Sequence, residues 1–301
     1  MIGLKKGKWH NWKKRRHFMS EFDDIVKKKV LSYHSVAGGD INEAFQIQTE
    51  DGTFFVKMNT ISNLDMFIQE RKGIEAMAAC HVIGTPHILQ SGTTNHHSYL
   101  LMDYIESGKR IESYWQVFAQ QLANMHRTFV GNQFGFSSNN YIGSTPQINT
   151  FCDSWITFFK DYRLRPMLNR NKENLYASDI QRLSKIMDHL DEILIEPEQP
   201  SLVHGDLWSG NVMTGKDGKA WLIDPACYYG DAEVDIAMTE LFGGFPQTFY
   251  TTYRQYGCLR SGYEKRKNVY NLYHLLNHLY LFGYGYYGSV LHCIEKIERS
   301  W

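Results

Sequence analysis

The residues most suited to chemistry lie in the segment LVHGDLWSGN, at positions 202–211. Asp206 and Asn211 are five residues apart on a predicted polar loop, and Asp224 ends the predicted strand Ala220–Ile223. Phosphoryl transfer to an alcohol needs a carboxylate that orients and deprotonates the hydroxyl, and oxygen ligands that hold Mg²⁺ against the phosphates. We therefore predict that Asp206 is the catalytic base and that Asn211 and Asp224 bind magnesium.

Each of these residues also has an ordinary structural explanation. An isolated Asp or Asn in a loop is usually a turn former, and an Asp that ends a strand is usually a cap. The chemical interpretation depends on the combination, because the order of the three residues, their spacing and the intervening hairpin occur together. We assign His204 to support of the loop, since the neighbouring Asp206 already fills the role of base.

A cation for the phosphates of ATP is predicted at Lys57, inside the otherwise apolar strand Thr53–Asn59. Lysine is rarely buried unless it is paired. Glu70 lies on the apolar face of the next predicted helix and is the expected partner, while Glu75 is the alternative. That apolar face is formed by Phe67, Ile74 and Met77.

Two further backbone regions could bind the nucleotide. Gly38 and Gly39 precede the predicted strands, and a glycine pair lets backbone amides approach phosphates closely, although such a pair is more often a hairpin turn. Asp103 and Ile105 flank the end of the predicted strand Ser98–Tyr104. From their position in the chain, we predict that their backbone groups hydrogen bond to adenine.

The elements that must position these residues predict an α+β fold. Residues 20–104 contain short strands and one helix, Leu64–Cys80, whereas the chain after residue 106 has the apolar spacing of long helices. One of these helices is predicted to begin with a capping box at Ser178–Gln181. We predict a bilobal protein-kinase-like fold, with a small antiparallel-sheet lobe at residues 19–105 and a large helical lobe at residues 106–301.

Composition excludes several classes of function. Lys and Arg total 32 and Asp and Glu total 32, so the overall charge does not favour nucleic acid or an anionic membrane. Residues 1–18 contain seven basic residues and no acidic residue. They are predicted to be a disordered extension, with a nucleic-acid-binding arm or a targeting peptide as alternatives. Five scattered cysteines favour a reducing cytoplasm over a disulfide framework, and no run of about 18 apolar residues predicts a membrane span.

The chain resembles the fructosamine kinase (ketosamine 3-kinase) family from about Val36 to Ile294. The most specific matches are HGDLWSGN at 204–211, DPACYYG at 224–230, LFGGFP at 241–246 and YHLLNH at 273–278. The segments FGF at 134–136 and YIGSTPQ at 141–147 are similar to the substrate-lobe signature of the family. Members of the family use ATP and Mg²⁺ to phosphorylate the 3-hydroxyl of ketosamines, which are adducts of sugars and amines, and the unstable product then releases the amine.

The resemblance also implies roles for individual residues. Asp206 would be the base, and Asp235 would support the catalytic loop. Trp208 would line the sugar pocket, although packing in the core is an equal alternative. The aromatic helix at 270–287, which includes His274, could contact a substrate rich in hydroxyls or could be core. One departure is Asp40, where many relatives have a cysteine, so a disulfide through that loop is not expected.

Other functions remain open at this stage. The expected enzyme acts on fructosamine, ribulosamine or erythrulosamine adducts, as a cytoplasmic monomer or homodimer that binds neither nucleic acid nor membranes. A kinase for choline, an aminoglycoside or another amino-alcohol is the first alternative. A nucleotide-binding regulatory protein without turnover is the second, but it would commonly lack the base, the metal-binding Asp or the Lys.

Overall fold

The computed structural model describes residues 18–36 and 41–300 and divides into two compact units. Unit 1 comprises the described residues up to Arg71 together with Pro86–Glu106, and unit 2 comprises Lys72–Thr85 and the described residues from Ser107 onwards. The boundary after Glu106 lies one residue from the predicted one, but residues 72–85 group with unit 2. The predicted extension lies outside the described residues except for Phe18, as does the glycine pair at 38–39.

Unit 1 is built on a five-stranded antiparallel sheet with the strand order β1-β2-β3-β5-β4. A helix over residues 18–26 (α1) precedes it. The strands are β1 (Val30–Ser35), β2 (Glu43–Thr49), β3 (Gly52–Thr60), β4 (Ile88–Thr93) and β5 (His97–Asp103). A 3₁₀ turn, Ile61–Asn63, leads from β3 into helix α2 (Leu64–Ala78), of which residues 64–71 belong to unit 1.

Strand β3 of the β2–β3 hairpin contains the predicted strand Thr53–Asn59. Thr49 pairs with Gly52 across the turn, and β3 extends one residue beyond each end of the predicted strand. Gly52 has a positive φ of 143°, which glycine adopts at little cost. Alternate residues of the strands point into a core shared with α1, where Phe18 stacks on Phe22 at 5.8 Å between ring centroids. Helix α1 was not predicted from the sequence.

Unit 2 is mainly helical and contains three short two-stranded sheets. Its helices are α3 (Tyr114–Thr128), α4 (Trp155–Phe159), α5 (Arg165–Arg170), α6 (Ala177–Asp188), α7 (Glu233–Leu241), α8 (Gln247–Gln255), α9 (Tyr263–Phe282) and α10 (Tyr287–Ser300). A π-helical turn, Lys160–Leu164, joins α4 to α5, and 3₁₀ turns lie at Leu190–Glu192, Ser209–Asn211 and Tyr284–Tyr286. The strands are β6 (Asn140–Ile142), β7 (Thr145–Gln147), β8 (Ser201–Val203), β9 (Val212–Thr214), β10 (Ala220–Leu222) and β11 (Tyr228–Gly230).

The start of α6 differs from the predicted capping box. The N-cap is Tyr176, and the Asp179 carboxylate accepts a hydrogen bond from the Tyr176 backbone N–H at 3.3 Å. Ser178 therefore lies inside the first turn. The pattern S-x-x-Q is misleading because the helix begins two residues earlier, with Tyr176 as the N-cap. Asp179, the third residue of the helix, makes the capping interaction that the pattern assigns to Gln181.

The predicted fold class is confirmed. The sheet-containing unit and the helical unit each have a hydrophobic core of their own. In unit 2, the apolar spacing of α3 and α6 buries residues such as Phe118, Leu122, Leu183 and Ile186. In the part of the chain that the structure describes, no helix is long and apolar enough to span a bilayer.

Candidate active site

The predicted catalytic residues lie at the ends of two paired strands in unit 2. Strand β8 leads into the catalytic loop (residues 204–211), and it pairs antiparallel with β11, which follows Asp224. The β9–β10 hairpin connects the catalytic loop to Asp224. A backbone hydrogen bond from the Ala226 N–H to the His204 carbonyl, at 2.9 Å, joins the two segments. The local topology therefore brings the catalytic loop beside the Asp224 segment, which we define as residues 224–229.

Asp206 and Asn211 contact each other directly. The Asn211 side-chain amide donates hydrogen bonds to the Asp206 backbone carbonyl at 2.8 Å and to its carboxylate Oδ2 at 3.2 Å. Burial raises the pKa of Asp206 to about 7; the Asn211 hydrogen bond opposes this rise, and the negative charge of Asp224 adds to it. A carboxylate with a pKa near neutrality is suited to accept a proton from a substrate hydroxyl.

Asp224 has a constrained backbone conformation. Its side chain is exposed, and its φ of 55° places a non-glycine residue in the left-handed region. The N–H of the preceding Ile223 donates to the Asn211 carbonyl at 3.1 Å. Because Asn211 uses its amide nitrogen on Asp206, its Oδ1 is the atom left for a cation. An amide oxygen and a carboxylate are ligands that Mg²⁺ accepts, so these residues fit a magnesium ion.

The side chain of Asp235 holds the backbone of the catalytic loop, as expected. Its carboxylate accepts hydrogen bonds from the His204 N–H at 2.7 Å and the Gly205 N–H at 2.9 Å. The side chain is fully buried. Burial alone would raise the pKa of Asp235, but the hydrogen bond and charge of His126 and the contacts with His204 lower it below its ordinary value. The carboxylate is therefore a fixed anionic acceptor behind the loop.

His204 stabilises the loop from inside, which agrees with its assigned supporting role. Burial lowers the pKa of His204, although the charge of Asp235 opposes the shift. Nδ1 accepts a hydrogen bond from the Asp206 N–H at 3.2 Å, so the ring proton is on Nε2, which donates to the Ile223 carbonyl at 2.9 Å. The imidazole thus connects Asp206 to the residue before Asp224.

His126 and Tyr253 belong to this site but were missed in the sequence. His126 of α3 bonds through Nε2 to the Asp235 carboxylate at 3.1 Å and through Nδ1 to the Tyr253 hydroxyl at 2.7 Å. Both side chains are buried. The one signal was a lone histidine within the apolar helix Tyr114–Thr128, and nothing in its spacing indicated a distant carboxylate as partner.

The predicted ion pair between Lys57 and Glu70 is present in unit 1. The Lys57 Nζ lies 2.7 Å from Glu70 Oε1, and only 9% and 14% of the two side chains are exposed. The face that carries Glu70 is buried as expected, whereas the alternative partner Glu75 is exposed. The pairing is therefore confirmed, and the role of the pair in binding ATP stays a prediction.

The predicted adenine-binding positions lie at the end of β5. The Asp103 N–H donates to the His87 carbonyl at 3.0 Å. Its own carbonyl is therefore the group that could accept a hydrogen bond from adenine. Ile105 follows in the segment after the strand and is half-buried. The role of both residues remains a prediction.

The two predicted substrate contacts are in different environments. Trp208 is 37% exposed and meets the edge of Phe242 at 6.3 Å, so the alternative of core packing is wrong. His274 is 3% exposed, and burial lowers its pKa to about 3. Its Nδ1 has no hydrogen-bond partner among the described residues. A substrate role for either residue stays a prediction.

Comparisons with known proteins agree on one family. The family model for fructosamine kinase matches residues 11–300. A "Probable ketoamine kinase" of Synechocystis sp. is 41% identical over 273 residues, covering 90% of this chain and 92% of that protein. The chloroplastic protein-ribulosamine 3-kinase of Arabidopsis thaliana is 38% identical over 278 residues, with 90% and 84% covered. A crystal structure from Haemophilus somnus, proposed to be a fructosamine-3-kinase, superposes with a TM-score of 0.84 at 30% identity, covering 93% of this chain and 96% of that one.

Proposed function

Because this chain belongs to the fructosamine kinase family, we propose that it transfers the γ-phosphoryl group of ATP to the 3-hydroxyl of a ketosamine. The observation that carries the proposal is the contact between Asp206 and Asn211 on a loop that Asp235 holds by two backbone N–H groups. A base, an oxygen ligand for a cation and a rigid support are the parts that phosphoryl transfer to an alcohol requires.

Asp206 acts as the base in this proposal. Its carboxylate takes the proton of the substrate hydroxyl as the hydroxyl oxygen bonds to the γ-phosphorus and the bond to the β–γ bridging oxygen breaks. The hydrogen bond from Asn211 fixes the orientation of the carboxylate. Because burial raises the pKa of Asp206 to about 7, the proton can be both accepted and released near neutral pH.

Asn211 and Asp224 would hold Mg²⁺ through Oδ1 and a carboxylate oxygen. When bound, the cation neutralises charge on the phosphates of ATP. The constrained backbone of Asp224, with its φ of 55°, fixes the direction of the carboxylate. Lys57, which Glu70 orients at 2.7 Å, supplies the cation for the phosphates from the chain itself.

The acceptor is the least constrained part of the proposal. Trp208, two residues after the base, presents an exposed aromatic surface on which the sugar can pack. The Arabidopsis relative is named for ribulosamine, so ribulosamine adducts are the first substrates to test. Phosphorylation at the 3-hydroxyl makes the adduct unstable, and the reaction therefore supports release of the amine.

The test is incubation of the protein with Mg²⁺, ATP and a panel of free ketosamines, followed by phosphorus NMR of the product. We expect one new phosphomonoester at the 3-position. Asp206→Asn should lower kcat by about 10²–10⁴-fold, because the general base is lost, while ADP binding is retained. Asp191→Asn, which removes the same charge at an exposed position, should leave kcat unchanged.

Three outcomes would contradict the proposal. A product from choline or an aminoglycoside, without one from any ketosamine, would point to a different acceptor class. ADP binding without turnover of any acceptor would favour a regulatory protein. Near-normal turnover by a folded Asp206→Asn variant would show that the base is another residue.

A further inference from the structure

Four consecutive residues after Pro225 are each held by side chains or backbone from elsewhere in unit 2. The Ala226 and Cys227 carbonyls accept hydrogen bonds from Gln147 at 3.1 Å and from Asn140 at 2.8 Å. The Arg163 guanidinium stacks on the Tyr228 ring, 4.1 Å from its centroid. Tyr229 exchanges two backbone hydrogen bonds with Gly135. The metal-binding Asp224 is thus anchored from its C-terminal side by a continuous row of contacts.

The two amides that reach the carbonyls come from strands β6 and β7. Gln147 Nε2 also donates to Asn140 Oδ1 at 2.9 Å, so the two side chains form one unit. The Tyr273 hydroxyl donates to Gln147 Oε1 at 2.7 Å. Asn140 and Gln147 are 5% and 2% exposed, so both amides are almost completely removed from solvent.

A second layer fixes the orientation of these amides. Arg163 has only donors, and its Nη2 donates to Asn149 Oδ1 at 2.7 Å. The Asn149 amide nitrogen must therefore point to Asn140 Oδ1, which it reaches at 2.8 Å. Asn140 then presents its own nitrogen to the Cys227 carbonyl. Each donor in this series therefore faces an acceptor, from Arg163 through Asn149 and Asn140 to the Cys227 carbonyl of the Asp224 segment.

This arrangement gives a different meaning to the segment at 141–147. The resemblance to the family implies a substrate-lobe signature there, whereas Gln147 points into the protein and bonds to a backbone carbonyl. Asp224 needs such support because a non-glycine residue at a φ of 55° costs on the order of 1–3 kcal/mol and persists only where its surroundings fix it.

We propose that Gln147 and Asn140 are positioning residues for the metal ligand Asp224, an inference that rests on the proposed function. The two amides hold the Ala226 and Cys227 carbonyls and so keep the Asp224 carboxylate in the direction that a cation bound with ADP or ATP requires. Residues that support a metal ligand without touching the metal typically change metal affinity by 10–100-fold when they are replaced.

The test measures binding of Mn²⁺ with ADP by electron paramagnetic resonance of the free ion, on the full chain and without turnover. Gln147→Met keeps the side-chain length and removes both donors, and we expect it to raise the Kd of Mn²⁺·ADP about 10-fold. ADP in the presence of a chelator should bind with unchanged affinity. The KM for the ketosamine should also be unchanged, because Gln147 does not face solvent.

Asn171 provides a matched control. It is another fully buried amide, and its nitrogen donates to two backbone carbonyls, of Met167 and Leu276, both at 2.9 Å, away from the Asp224 segment. Asn171→Leu should lower stability as Gln147→Met does, but it should change the Kd of Mn²⁺·ADP by less than about 2-fold. Equal effects of the two variants on this Kd would overturn the proposal.

Two further arms separate the possible failures. If Gln147→Met does not fold, Tyr273→Phe takes its place, because it removes only the hydrogen bond to Gln147 Oε1. Its Kd for Mn²⁺·ADP should be higher than that of the wild type by less than about 10-fold. A Kd equal to that of the wild type would refute the inference. If the wild-type protein neither binds Mn²⁺·ADP nor phosphorylates a ketosamine, the proposed function itself fails.

Discussion

The catalytic loop and the Asp224 segment lie side by side but are held by opposite kinds of groups. The loop turns two backbone N–H groups inward, at His204 and Gly205, and both donate to the Asp235 carboxylate. The Asp224 segment turns two carbonyls inward, at Ala226 and Cys227, and both accept from neutral amides. The direction of the backbone dipoles therefore decides which side chains can support each half.

The two kinds of support differ in the strength of their hydrogen bonds and in the free-energy cost of burying their polar groups. A buried carboxylate makes stronger hydrogen bonds than an amide does, but it must be compensated. Asp235 is compensated by His126, whereas Gln147 and Asn140 are neutral and complete their hydrogen bonds with each other, with Tyr273 and with Asn149. We expect the catalytic loop to be the more rigid half and the more sensitive to single substitutions.

The largest effect is expected from Asp235→Asn. The new amide group would place donors opposite the buried donors of His204, Gly205 and His126, and at least one of them would lose its acceptor. Breaking a buried charged interaction of this kind costs about 3–5 kcal/mol. Denaturant unfolding should show this loss, and turnover should fall with it.

Asp191→Asn removes the same charge at an exposed position and should change stability by less than about 0.5 kcal/mol. If Asp235→Asn were as mild as this control, the carboxylate would not be the main support of the loop. The comparison between the two halves would then be wrong.

Much of the fold could be predicted because local patterns agreed with tertiary packing. Strand β3 was predicted from its apolar run, and α3 lies where apolar residues at helical spacing predicted a long helix. Helix α1 was missed. The start of α6 was placed two residues late, because two acceptable caps lie within one turn. Short strands such as β6 and β11 have only three residues each, too few for a period to be recognised.

The chemistry was easier to predict than its support. Asp206 and Asn211 are neighbours in sequence and could be paired from their spacing, and Lys57 with Glu70 could be paired from burial. His126 and Asp235 are 109 residues apart, and Gln147 and Ala226 are 79 apart. No local pattern encodes such pairs, since they depend on how the helices and strands pack.

An intermediate effect is expected from Gly205→Ala, at the point where the two halves touch. Gly205 has a φ of +80°, and a Cβ there would lie 2.2 Å from the Ala226 carbonyl oxygen. The methyl group would force the catalytic loop away from the Asp224 segment, and the strained backbone alone costs about 1–3 kcal/mol.

The free energy of unfolding and the affinity for Mn²⁺·ADP should both be lower in this variant. Gly257→Ala is the control, because Gly257 also has a positive φ, of 75°, but a Cβ there meets nothing within 4 Å. If both variants bound Mn²⁺·ADP equally well, the close approach of the two halves would not matter to the site.

The smallest effect is expected from Tyr253→Phe, which tests whether the catalytic loop is also sensitive at a distance. The hydroxyl of Tyr253 bonds to His126 Nδ1 and contacts neither the loop nor Asp235 in the hydrogen bonds described above. Its loss leaves a buried nitrogen without its partner and should cost about 1 kcal/mol in the free energy of unfolding. If His126 orients Asp235, kcat should also fall several-fold while the KM for ATP stays constant. Tyr280→Phe, at a residue that is 43% exposed, should change neither quantity. A loss of stability with unchanged kcat would show that the support of the loop ends at Asp235.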